Sequence, residues 1–89
     1  MNKFSNISEY TVSQVNKAIK NIIEGNFNVI KVIGELSQVK RHSSGHIYFT
    51  LKDQDSTLSG VCWRSNTNNL KVNIEDGKFV LIKGKITTY

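Results

Sequence analysis

Between His46 and Lys52 the chain alternates without a break: Ile47, Phe49 and Leu51 on one side, His46, Tyr48, Thr50 and Lys52 on the other. A period of two is the repeat of a β-strand, whose successive side chains point to opposite faces. β-Branched and aromatic residues dominate the run, as a pleated, half-buried surface favours. One face is therefore apolar and the other polar, aromatic and basic. Residues 29–39, just upstream, read as a longer strand in which Gly34 would make a bend or bulge. The joining segment 40–45, Lys-Arg-His-Ser-Ser-Gly, is polar, basic and glycine-containing, as suits a hairpin loop longer than two residues.

An amphipathic helix precedes this hairpin. Thr11 followed by Gln14 matches a capping box, in which each side chain satisfies a backbone N–H near the other. Val12, Val15, Ile19, Ile22 and Ile23 recur at helical spacing, which predicts a helix over 12–24 with Gly25 as its stop. Its apolar stripe is expected to plug or flank a sheet. Residues 1–10 read as a leader and 11–89 as one domain. Downstream, Asp53 to Thr57 forms a turn rich in side chains that bond their own backbone. Residues 58–63 predict a third strand, 64–70 a short helical turn or loop, 73–77 another turn and 78–87 a fourth strand with Gly84 as a second bend.

With 89 residues, a single domain with a modest core is expected. The net charge of +5 favours a polyanionic partner such as nucleic acid. Cys62 is the one cysteine, so no internal disulfide can form, and it reads as a small hydrophobe. No apolar run is long enough to cross a bilayer, and no signal peptide is visible at the start of the chain, so a cytoplasmic location is expected. Asp53 and Asp55 form a D-x-D pair, but acids in a turn ordinarily cap backbone N–H groups. His42 and His46 lack zinc spacing with Cys62, and there is no Gly-rich phosphate loop. No metal, no cofactor and no catalytic residue is therefore expected.

One helix and four strands with bend-forming glycines suggest a mainly β domain with a small antiparallel barrel. The OB-fold, a five-stranded Greek-key barrel, is of this kind and holds nucleic acid on its second and third strands and on flanking loops. Only four strands are counted here, so the barrel's last strand is expected beyond Tyr89.

Several motifs are familiar. The runs 10–16 (Tyr-Thr-Val-Ser-Gln-Val-Asn) and 32–37 (Val-Ile-Gly-Glu-Leu-Ser) resemble the amino-terminal domain of the exodeoxyribonuclease VII large subunit. The most specific match is 44–53, Ser-Gly-His-Ile-Tyr-Phe-Thr-Leu-Lys-Asp; 61–64, 75–77 and 80–85 follow in order. Trp63 stands where that family usually has phenylalanine, and Ile33 where it often has glutamate. The resemblance implies an OB-fold domain of a bacterial nuclease that degrades single-stranded DNA from both ends to oligonucleotides without a divalent metal. It also implies a catalytic domain outside this chain and small subunits as partners.

Single strands are held by cations along the backbone and rings under the bases. On that basis Tyr48 is a stacking candidate, and His46 and Lys52 are phosphate candidates on the same face. Lys40, Arg41, His42 and Ser44 lie in the loop that would clamp the strand, and Arg64 ends the third strand. Tyr48 could equally lie on a neighbouring strand, and Lys40 and Arg41 could be plain solvated charge. Trp63 depends on register. If Leu58, Gly60 and Cys62 face the core it lies beside Tyr48; if Val61 faces in, it is core, and the size of the ring favours burial. An RNA-binding barrel of the anticodon-binding type and a protein-docking module are the alternative functions. Association into a dimer through open strand edges is expected as well.

Overall fold

The computed structural model describes residues 6–88, which form α1 (Val12–Asn26), β1 (Val29–Arg41), β2 (Ile47–Lys52), β3 (Thr57–Cys62), α2 (Arg64–Thr67) and β4 (Phe79–Lys85). Two compact units are present among the described residues: one holds those up to Ile30 together with those from Lys83 on, the other Lys31–Ile82.

In the first unit the capping box is made. Gln14 N–H donates to Thr11 Oγ1 at 3.1 Å, and Thr11 N–H donates to Gln14 Oε1 at 2.8 Å. The helix does not stop at Gly25 but runs through it to Asn26. Phe27, with extended backbone, ends it and donates its N–H to Ile23 O at 2.9 Å, while Asn26 Nδ2 donates to Ile22 O at 2.6 Å. The Asn26 side chain thus adds a donor to a carbonyl of the final turn. None of the helix's residues is buried, and Val12, Val15, Ile19 and Ile22 are exposed, where a covered stripe was expected. Thr87 Oγ1 donates to Glu24 Oε2 at 2.7 Å within the same unit.

The second unit is built on the hairpin. The strand order is β3-β2-β1-β4, with β1–β2 and β2–β3 antiparallel. Leu36 opposes Leu51, Arg41 opposes Ile47, and Ile47, Phe49 and Leu51 oppose Cys62, Gly60 and Leu58. Leu36, Ile47 and Leu51, at 2%, 4% and 5% exposure, form the core. The expected period of two thus puts the expected face inward.

The bulge in β1 lies beyond Gly34. Ser37 opposes Thr50 and Lys40 opposes Tyr48, so Gln38 and Val39 together span the place of Phe49. Gln38 takes φ +51°, the left-handed conformation such an inserted residue can require. Gly34 serves a different need: a Cβ there would stand 2.9 Å from Lys52 O and Leu51 Cγ, so its absence lets the strands approach. At the bulge and just before it, β1 is held by the segment leading into β4. Val39 N–H donates to Asp76 Oδ1 at 2.8 Å, Leu36 N–H donates to Lys78 O and Gly77 N–H to Leu36 O, both at 2.8 Å. β4 runs through Gly84 to Lys85.

Candidate nucleic-acid interface

The residues that alternate with the core define the outward face of β2. Lys40, Tyr48 and Val61 form one row across three strands; Ser37, Thr50 and Ser59 form the next; Glu35, Lys52 and Thr57 form the third. Apart from Val61 this surface is polar, with an aromatic group concentrated at the loop end. Tyr48 is 39% exposed and meets His42 edge-on, ring centroids 6.1 Å apart at 81°. Trp63 is 42% exposed and meets His46 at 5.1 Å and 90°. The β2–β3 register resolves the alternative left open for Trp63. Leu58, Gly60 and Cys62 oppose Leu51, Phe49 and Ile47, so Trp63 follows Val61 to the outer side and is not core, despite its size.

The loop between β1 and β2 is a tight turn over 42–46, shorter than expected because β1 extends to Arg41. Gly45 N–H donates to His42 O and His42 N–H to His46 O, both at 2.9 Å. Gly45 has φ +94°, a conformation glycine adopts without steric cost. His42 Nδ1 accepts from Ser44 N–H at 3.1 Å and lies 2.8 Å from Ser44 Oγ, so Ser44 orients the ring that meets Tyr48. His46 Nδ1 accepts the N–H of Arg64 at 2.8 Å.

The cations divide by what engages them. Lys40 and Arg64 are exposed and make no ion pair among the described residues. Arg41 Nη2 donates to Ile74 O at 3.1 Å, which ties it to the segment before β4. Lys52 Nζ lies 3.4 Å from Glu35 Oε2, its cross-strand neighbour. Gly45, passed over as a site residue, matters because the Arg64 stem lies against it: a Cβ at that position would stand 2.7 Å from Arg64 Cγ and Cδ. Its turn position was legible in sequence; its partner was not. Ser37 and Ser59 also belong to the outer face, and the alternation in 58–62 carried that signal for Ser59.

Two groups lie outside this surface in role. Asp53 Oδ1 accepts the N–H groups of Asp55 and Ser56, each at 2.8 Å, and these bonds hold its carboxyl below its ordinary range. Burial pushes the Cys62 thiol up, away from the thiolate a nucleophile or metal ligand needs. No helix among the described residues is long and apolar enough to cross a membrane.

The model of the OB-fold nucleic acid binding domain matches residues 10–89. Proteins named exodeoxyribonuclease 7 large subunit resemble the chain along most of its length. That of Cereibacter sphaeroides (strain ATCC 17025 / ATH 2.4.3) is 42% identical over 84 residues, which is 94% of this chain and 16% of that protein. That of Caulobacter vibrioides is 44% identical over 85 residues, 96% of this chain and 17% of that protein. That of Nautilia profundicola is 42% identical over 79 residues, 89% of this chain and 18% of that protein. The chain therefore spans less than a fifth of the length of these relatives.

Proposed function

The chain belongs to the OB-fold nucleic acid binding domain family, and from that premise we propose that the outward face of β2 holds single-stranded DNA for an exodeoxyribonuclease of the kind its relatives are named for. The observation that carries this is the convergence of Tyr48, Trp63, His42 and His46 at the loop end of one polar sheet face, with Lys40 and Arg64 exposed beside them. Rings of this kind stack with bases of any sequence, and cations beside them follow the phosphates. In this reading Tyr48 and Trp63 are the stacking platforms, and Lys40 and Arg64 meet phosphate. His42 and Ser44 shape the clamp, and Arg41 and Lys52 contribute charge from bonded positions. Residues 11–89 form the binding domain and 1–10 a leader. Hydrolysis belongs to chain outside this stretch, with small subunits as partners of the whole enzyme and the cytoplasm as its compartment.

Titration of Trp63 fluorescence with oligo-dT, oligo-U and duplex DNA tests the reading. Binding of oligo-dT in preference to the duplex is expected. Preference for oligo-U would favour an RNA-binding module, and no binding of any of the three would favour protein docking.

A further inference from the structure

We propose that His46 is a positioning residue for this interface: it latches Trp63 and Arg64 to the hairpin and acts on nucleic acid through them, not on a phosphate. The inference rests on the outward face being the binding surface. It begins with an orphan donor. β3 ends at Cys62, and α2 starts at Arg64, so the first N–H groups of α2 have no partner within that helix. The N-cap position is Trp63, which makes no side-chain cap bond, since indole N–H is only a donor. His46, from a different strand end, supplies the missing acceptor: Arg64 N–H donates to its Nδ1 at 2.8 Å. The bond commits the ring to the form whose Nδ1 carries the lone pair.

The same ring meets Trp63 at 90° and 5.1 Å, the edge-to-face geometry favoured by aromatic quadrupoles. One imidazole thus fixes both the backbone of the corner and the orientation of its indole. Gly45 completes the latch. With φ +94° and no Cβ, it leaves the space in which the Arg64 stem lies. Gly45 makes room for the Arg64 stem, and its neighbour His46 binds the Arg64 N–H. The phosphates are left to Lys40 and Arg64.

Two variants of the 89-residue chain separate the roles. His46→Phe keeps a ring beside Trp63 and removes the acceptor. His46→Asn removes the ring and keeps an acceptor, Oδ1, close to the place of Nδ1. The readouts are the Arg64 amide proton by NMR, the fluorescence of Trp63, which is the sole tryptophan, and the salt dependence of oligo-dT binding. In His46→Phe the Arg64 amide is expected to move upfield and exchange faster. Binding should weaken about tenfold as the corner that presents Trp63 and Arg64 loosens, while the long Arg64 side chain still reaches phosphate and the salt slope is unchanged. His46→Asn is expected to restore the Arg64 amide and most of the affinity. If both variants lower the slope by about 0.7 while the Arg64 amide stays in place, His46 touches phosphate and the proposal fails. If His46→Phe does not fold, His46→Asn decides alone: a retained Arg64 amide with an unchanged slope supports the latch, and a reduced slope overturns it. A wild-type chain that binds no oligo-dT overturns the binding reading, and the Arg64 amide comparison then still supports or overturns the latch.

Discussion

Asp53 closes the β2–β3 turn with two backbone N–H donors, from Asp55 and Ser56, and both bonds favour the ionised carboxylate. Its carboxyl is therefore held below the ordinary value of 3.8. A lowered folded-state pKa stabilises the fold fully above the unfolded value, and the contribution is lost as pH falls through the lowered one. The turn should hold from neutral pH down to about that ordinary value and loosen below it. Hydrogen exchange at the Asp55 and Ser56 amides, taken as protection relative to the intrinsic rate, checks this: Asp53→Ala should lower protection at neutral pH and abolish its further loss in acid. Gly60 is a second constrained position, because a Cβ there would run into the Phe49 ring across the β2–β3 pair. Gly60→Ala is expected to cost about 1–3 kcal/mol, as overpacking a filled site does. A lower urea midpoint at unchanged slope would report it.

At the level of elements, β1 carries most of the design. Its bulge lets Lys40 face Tyr48 although Leu36 faces Leu51, because one extra residue is absorbed between Ser37 and Lys40. Gln38 holds the left-handed conformation there, and Thr50 Oγ1 donates to its Oε1 at 3.3 Å. Gln38→Val places a β-branched side chain where it clashes with its own backbone, at a cost of about 1–2 kcal/mol. The Lys40–Tyr48 pairing should slip with it, seen as lost cross-strand NOEs between these residues and weaker oligo-dT binding. α1 contrasts with β1: its ends are well capped, yet none of its residues is buried.

On the scale of the whole chain, the +5 charge makes affinity a function of salt. Each phosphate contact on a single strand contributes about 0.7 to the slope of log affinity against log salt. Lys40→Ala should lower that slope by about 0.7 and weaken all oligonucleotide sequences alike, since phosphate contacts position without reading bases. A loss confined to particular sequences would remove Lys40 from the phosphate role. The sheet has β3 and β4 as its outer strands among the described residues, and outer strands template pairing. Phe79 and Leu81 on β4 and Leu58 on β3 are exposed, while Lys83 and Lys85 charge part of the β4 edge. Concentration-dependent association by light scattering is expected, and a monomer at all concentrations would argue against it.

The alternation over 46–52 was enough to assign β2, its buried face and its polar face, because a strand's period is a local property of the backbone. The capping box was equally local, Thr11 and Gln14 bonding each other three residues apart. So was the Asp53 turn. Other features depended on partners far along the chain. Residue type made Gly34 the expected bend or bulge, but a glycine's use is not announced by its identity. Strand pairing put the extra residue at Gln38 and used Gly34 for close approach. Trp63 could not be assigned a side until β3 took its register on β2. The bonds that engage Arg41 with Ile74, Lys52 with Glu35 and His46 with Arg64 join different elements, so no spacing in the sequence announces them. Periodicity states which residues share a face, but the site requires faces to meet, and register across strands sets that meeting.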